Sequence, residues 1–295
     1  MTAATAGRVA HPAARTPRRR SRRWRANFWA GLAAWIIGLL FFVPVAYMVL
    51  TSFHSEAAAA TNPPSYGAGL TLKGYKEFFG IGTGTSPWPS LINSATASIV
   101  STLLVLVLAI PAAYALAVKP VKKWSDVLFF FLSTKFLPPV AALLPLYLFA
   151  KHIGLLDNIW LLVVLYTSMN LPIAVWMMRS FLNEIPKALP EAASIDGANL
   201  ITLLRKIILP IASPGIAATA LICFIFSWNE LLFALVLTAT VSQTAPVFLT
   251  SFVTSEGLFL AQVCAAATII SLPVLVAGFA AQDKLVQGLS LGAVK

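Results

Sequence analysis

Charge is scarce in this chain of 295 residues: 11% are Asp, Glu, Lys or Arg, where soluble domains average about 25%. That shortage, with a mean hydropathy of +0.84, excludes an ordinary soluble enzyme and implies an integral membrane protein. Nowhere does the sequence read G-x-x-x-x-G-K-[ST]. Gly80, Gly82 and Gly84 crowd together but lack the lysine that a phosphate cradle needs, so the chain is not expected to hydrolyse ATP. His11, His54 and His152 are scattered, with no cysteine or carboxylate at ligand spacing, and neither a metal site nor a catalytic centre is expected. The two cysteines, Cys223 and Cys264, fall inside apolar runs, where a thiol behaves as a small apolar residue.

What the chain does have is apolar residues, 59% of the total. They gather into runs near 27 to 51, 92 to 118, 126 to 150, 159 to 182, 214 to 239 and 258 to 281. A hydrocarbon core about 30 Å thick takes roughly 20 helical residues, so each run is one crossing. The runs are too long and too continuous for barrel strands, and lipid offers a backbone no hydrogen-bond partner. The expected fold is all-α and polytopic with six spans. Lys135, Pro138 and Pro139 interrupt the third run, and Pro111, Pro172 and Pro273 predict kinks in others.

Basic residues set the orientation. Arg8, Arg15, Arg18, Arg19, Arg20, Arg22, Arg23 and Arg25 precede the first run. Lys119, Lys122 and Lys123 follow the second, Arg179, Lys187, Arg205 and Lys206 surround the fourth connection, and Lys284 and Lys295 end the chain. Only Lys73, Lys76, Lys135 and Lys151 fall on the opposite side or within spans, so both termini are expected in the cytoplasm. A basic arm next to a first span sets topology and meets anionic lipid, which accounts for the net charge of +11 without nucleic acid. Residues 1 to 23 read as unstructured. The first apolar run exceeds the roughly 7 to 15 residues of a signal-peptide core, so it reads as an uncleaved anchor.

One polar stretch, EAASIDGANLITLLRKIILP from Glu191 to Pro210, stands between the fourth and fifth runs. Pro190 suits the first helical position and Glu191 the first turn. Ala192 and Ala193 keep that helix slender, Asp196 and Gly197 form a D-G turn, and Asn199 is a good N-cap. Leu200 to Ile208 carries apolar residues at helical spacing, with Arg205 and Lys206 near its end, and Pro210 stops or kinks it. Two short helices with small residues on an exposed face are expected.

The order E-A-A, three residues, G, nine residues, I, one residue, L-P (Glu191, Ala192, Ala193, Gly197, Ile207, Leu209, Pro210) resembles the EAA loop of bacterial ABC importer permeases. The segments TLKGYKEFF from Thr71, NLPIAVWMMRSFLNEIP from Asn170, SWNELLFAL from Ser227 and GLSLGAVK from Gly288 resemble the carbohydrate-uptake branch of that family, with its maltose, trehalose and polyol permeases. The resemblance implies a type I importer fold: a basic arm at 1 to 26, a permease domain at 27 to 282 whose cytoplasmic EAA loop spans 184 to 213, and a tail at 283 to 295. It implies a second permease subunit, an ATPase dimer holding ATP and Mg, and an extracytoplasmic binding protein. Glu191, Ala192, Ala193, Asp196, Gly197, Ile207, Leu209 and Pro210 are then the coupling residues, with Gly292 and Lys295 reaching the ATPase from the tail.

Polar residues inside spans mark either the solute path or contacts between helices. They are Asn93, Lys135, Asn170, Ser227, Asn229 and Glu230. Glu230 is the foremost, as a solute contact or as a hydrogen-bonded or ion-paired group with Lys135 as one partner. Trp176 and Trp228 suit either sugar stacking or packing. The alternative function is a self-contained secondary transporter or channel, which internal repeats and paired broken helices would favour.

Overall fold

The computed structural model describes residues 20–62, 66–82, 84–118, 121–186, 188–254 and 257–293. Most of the basic arm, Lys119, Lys187 and Lys295 lie outside the described residues. The chain divides into two units, residues 1–49 and 50–295. The first is one apolar helix, α1 (Arg20–Thr51), whose last two residues belong to the second unit. It starts inside the stretch expected to be unstructured, and Pro44 lies within it.

The second unit is helical throughout its core. Short helices α2 (Glu56–Ala59) and α3 (Lys73–Phe78) precede the long α4 (Trp88–Val118). Next come α5 (Trp124–Ser133), a 3-10 turn at Thr134–Phe136, α6 (Pro139–His152) and α7 (Ile159–Leu182). The polar segment folds as α8 (Ala188–Ile195), α9 (Leu200–Leu203), a π-helical stretch at Leu204–Ile208 and α10 (Leu209–Ile211). The chain finishes with α11 (Ser213–Trp228), α12 (Leu232–Leu237), α13 (Ala245–Thr250) and α14 (Leu260–Ala293). One antiparallel ladder of two-residue strands, Val253–Thr254 with Gly257–Leu258, is the exception to the all-α expectation.

Among the described residues four helices are long and apolar enough to cross a membrane alone, and counting each bent pair as one crossing gives six. The third expected span is one of those pairs: α5 with its 3-10 turn meets α6 at 82°. Pro138 and Pro139 carry no N–H, so the carbonyls of Thr134 and Lys135 lose the partners a helix would give them. The fifth run is interrupted too. The other bent pair is Leu200–Ile211 with α11, again at 82°; at a rise of about 1.5 Å per residue the 16 residues of α11 are too short to cross alone, and α12 follows after a break at Asn229–Leu231. By contrast α4, α7 and α14 continue through Pro111, Pro172 and Pro273.

Small residues explain the packing at the centre. Ser90, Ser94, Ala97, Ser98, Ser101, Val105, Ala109 and Ala113 recur at three- and four-residue steps on α4 and are all buried. Their size lets α7 approach closely through Leu162, Tyr166, Asn170, Ala174 and Met178. Helices α11 and α14 pack beside them, with Val105, Val175 and Cys223 forming one part of the core.

At the end of the bundle away from the polar segment, carboxylates meet backbone. Glu56 accepts from the N–H groups of Ala261 (3.1 Å) and Gln262 (2.9 Å) and so caps α14, while Gln262 Nε2 donates to Glu77. Asp157, between α6 and α7 with φ 55°, accepts from Ala239 (3.0 Å), Thr240 (3.1 Å), Val241 (3.0 Å) and Ser242 (2.8 Å).

Candidate functional site

The polar segment sits where α4 and α7 end. Its helices are anchored by one apolar cluster: Ala193, Leu203 and Ile208 pack with Ala113 and Tyr114 of α4 and with Met178, Leu182 and Ile185. Helix α8 begins two residues earlier than the proline suggested, which puts buried Pro190 third in the first turn, where its missing N–H still costs nothing. Glu191 and Ala192 are exposed but Ala193 is buried, so the small residues face both ways rather than outward together.

The turn follows its chemistry. Gly197 has φ +79°, a left-handed conformation, and a Cβ there would meet nothing within 4 Å. Asn199 caps α9 by accepting from the Thr202 N–H at 2.9 Å. Pro210 does not end the helix. The π-helical stretch takes up the mismatch, with the Leu209 N–H reaching back to the Leu204 carbonyl. The 82° bend falls instead between Ile211 and Ser213. Ile207 packs on the cluster, Leu209 is half-buried and Pro210 is exposed. Asp196 is exposed beside the turn. Four apolar side chains point away from the bundle: Leu189, Ile195, Leu200 and Ile201 are 41%, 87%, 52% and 66% exposed.

The intramembrane polar residues separate into two groups. Asn170 donates to the Ser227 hydroxyl at 2.9 Å, and Ser227 lies 3.2 Å from the Ser101 hydroxyl, all three being buried. This chain of contacts ties α7, α11 and α4 together. Trp228 joins it in packing: it is buried, and its Nε1 donates to the Ile270 carbonyl at 3.0 Å, whereas Trp176 is 49% exposed. Asn93 donates to the carbonyls of Val241 (2.8 Å) and Gln243 (3.0 Å), and Asn229 to that of Ile225 (2.9 Å).

Glu230 forms no ion pair with Lys135, contrary to the partner considered from sequence; among the described residues the ion pair is Lys73–Glu77. Its carboxylate instead accepts from the N–H groups of Phe233 (2.9 Å) and Ala234 (3.3 Å), so it caps α12 at the break in the fifth run. The buried Tyr166 hydroxyl lies close enough to interact with that carboxylate but makes no hydrogen bond of normal geometry. Lys135 faces a cavity of about 600 Å³ at the α5–α6 break. Gly292 lies within the last helix.

Sequence reasoning missed Asp157 and Glu56, whose partners lie 82 to 85 and 205 to 206 residues away. It also missed Arg179 as more than a topology marker. Its Nε donates to the Leu116 carbonyl at 3.2 Å, and its guanidinium stacks 3.5 Å over the Trp124 ring. It therefore clamps the ends of α4 and α7 to the start of α5.

Apolar helices, four of them among the described residues long enough to cross a membrane alone, with a polar segment held at one end, are the architecture of a multi-pass membrane protein. Residues 106–291 match the family described as the binding-protein-dependent transport system inner membrane component. The chain belongs to that family and is an ABC importer permease subunit. It is 38% identical, over 93% of its length and 98% of the relative's, to a probable ABC transporter permease protein of Sinorhizobium fredii. It is 33% identical to the trehalose transport system permease protein SugB of Mycobacterium tuberculosis, over 92% of this chain and 98% of that one. A diacetylchitobiose uptake system permease of Streptomyces coelicolor is 30% identical, over 90% and 96% of the two chains. The fold matches, with a TM-score of 0.70 over 90% of this chain and 98% of the other, the crystal structure of a bacterial ABC transporter involved in the import of alginate, at 24% identity. Family membership replaces the alternative of a self-contained transporter.

Proposed function

We propose that this permease forms part of the path by which a sugar or polyol enters the cell, driven by a separate ATPase dimer that grips the Glu191–Pro210 segment. The observation that carries the reading is the two-sidedness of that segment. Ala193 and Leu203 are buried on the chain's own bundle, while Leu189, Ile195, Leu200 and Ile201 stand exposed among Glu191, Asp196, Arg205 and Lys206. An apolar patch rimmed by charge suits a cleft on another protein.

In this reading ATP and Mg are held by the ATPases alone. Glu191, Ala192 and Asp196 meet the ATPase surface, and Gly197 supplies the turn. Ala193, Ile207 and Leu209 keep the segment seated, Pro210 leads into α11, and Gly292 and Lys295 add a contact from the tail. Closure of the ATPases pushes the segment, and the cluster of Tyr114, Met178, Leu182 and Ile185 passes the push to α4 and α7. A second permease completes the path and an extracytoplasmic binding protein delivers the solute. The segment and both termini lie in the cytoplasm, a reading supported by the placement of the basic residues. The named solutes of the relatives, trehalose and diacetylchitobiose, support a carbohydrate.

Two substitutions test the coupling. Glu191→Arg and Gly197→Arg are expected to abolish uptake and co-purification of the ATPase while leaving the amount of protein in the membrane unchanged. Normal uptake with either variant refutes the assignment. A ligand screen on the binding protein, followed by uptake in cells lacking this chain, tests the solute class; a preference for amino acids, phosphate or metal ions removes the carbohydrate reading.

A further inference from the structure

Three features that hydrocarbon disfavours coincide between α5 and α6. Lys135 carries a charge, which hydrocarbon disfavours strongly near the centre of a span. The backbone turns by 82° there. Pro138 and Pro139 free two carbonyls from helical bonding, and a membrane tolerates such backbone only where protein or water meets it. Lys135 is exposed and makes no ion pair among the described residues. Beside it lies the cavity of about 600 Å³, within the roughly 300 to 1,000 Å³ typical of small-molecule sites.

The polar groups on the cavity wall are complementary in kind. Lys135 has only donors to offer. Thr134 and Ser168 donate their hydroxyl protons to the carbonyls of Phe131 (2.7 Å) and Leu165 (2.8 Å), so toward the cavity they present acceptor lone pairs. Phe130 and Phe233 line the same space and supply aromatic surface. An ionised carboxylate has no proton to give Thr134 and Ser168, and a phosphate has no C–H face to lay against the aromatic rings. A polyhydroxylated ring both accepts from an ammonium and donates to such hydroxyls, and its C–H face packs on an aromatic ring.

We infer that this cavity is a water-filled carbohydrate subsite on the solute path, with Lys135 as its donor and Ser168 and Thr134 as its acceptors. The inference rests on the proposed carbohydrate function and adds the place where this subunit itself touches the sugar.

The test uses the full chain assembled with its partner permease and ATPase in nanodiscs. Cys223 and Cys264 are replaced by alanine, and a single cysteine is placed by Lys135→Cys, by Ser168→Cys or, on the exposed face of α6, by Leu144→Cys. Labelling by the water-soluble sulfonate reagent MTSES is expected to be about tenfold faster at 135 and 168 than at 144. At least one of trehalose, maltose and diacetylchitobiose is expected to slow labelling about threefold by occupying the cavity, while inorganic phosphate does not. Equal rates at the three positions overturn the water-filled site. Rapid labelling with no protection by any of the three sugars, or with equal protection by phosphate, overturns the carbohydrate assignment. Ser168→Cys keeps the measurement intact should Lys135→Cys fail to assemble. Wild-type uptake separates the two readings: import of no carbohydrate sinks the proposed function, and import without protection at either cysteine sinks the subsite alone.

Discussion

Replacing Asp157 with alanine removes the common acceptor of four consecutive N–H groups, those of Ala239, Thr240, Val241 and Ser242. Burial pushes the Asp157 carboxyl up, but the four donors outweigh it and hold its pKa at about 2, below the ordinary 3.8. At about 1.36 kcal/mol per pH unit that difference amounts to roughly 2.5 kcal/mol, and solvent screening of a half-buried group reduces it to about 1 kcal/mol. Because the folded-state value is depressed, this contribution is complete above the unfolded-state value and is lost as pH falls from about 4 to about 2. The staple is therefore insensitive to pH across the physiological range.

Truncation costs more than protonation, since a protonated carboxyl still accepts and a methyl group does not. The local loss is about 2 kcal/mol, which corresponds to amide exchange roughly 30-fold faster at 239–242. Hydrogen–deuterium exchange on the purified complex, read on peptides covering 237–244, measures it directly. The neighbouring ties, Asn93 to Val241 and Gln243 and the Ala245 N–H to the Ser94 hydroxyl at 2.8 Å, remain in the variant and confine the effect. Asp157→Asn retains one carbonyl oxygen and falls between wild type and alanine. Unchanged exchange at 239–242 in Asp157→Ala refutes the account of the loop.

Arg179→Gln breaks both the stack on Trp124 and the bond to Leu116; solute moved per ATP hydrolysed is expected to fall about fivefold with ATPase binding retained, and an unchanged ratio refutes the clamp. Gly215 is buried against the Phe181 ring, so Gly215→Ala forces that ring aside and is expected to cost about 1 to 3 kcal/mol. A lowered melting temperature in detergent measures it, with Gly278→Ala as the control: a Cβ there meets nothing within 4 Å, so that variant gains alanine's helix propensity and its melting temperature does not fall.

Local chemistry was legible in the sequence where the partner of a residue lies within a few positions. The D-G turn and the Asn199 cap are of this kind, because Gly197 answers to its own φ and Asn199 to an N–H three residues on. Glu230 had the same signature, a carboxylate three residues ahead of the N–H it binds, and it was masked by the apolar run around it. Hydropathy averages over a window and passes through the break at Asn229–Leu231 without registering it. The break at Pro138 and Pro139 was legible as an interruption of the third run, because two adjacent prolines free two carbonyls; its 82° angle was not. Asp157 could not be found by spacing, since what identifies its role is a loop more than 80 residues later.

The two ends of the helix bundle are held by forces of different character, and the difference bears on how a push at Glu191–Pro210 travels. Opposite the polar segment, Asp157 and Glu56 fix the chain with charge-assisted bonds of 2.8 to 3.1 Å, which weaken steeply as angle and distance change. At the segment itself, Ala193, Leu203 and Ile208 rest on Tyr114, Met178 and Leu182 through apolar contact, which is non-directional and changes little as surfaces slide. Arg179 is the directional tie among these, and it joins α7 to α5, the helix that leads to the break at Lys135. In the proposed coupling, displacement of the segment would move the ends of α4 and α7 through this apolar contact and draw α5 with them through Arg179, and the place to take up the strain is where Pro138 and Pro139 have already interrupted the helix, while the end tied by Asp157 and Glu56 would keep its shape.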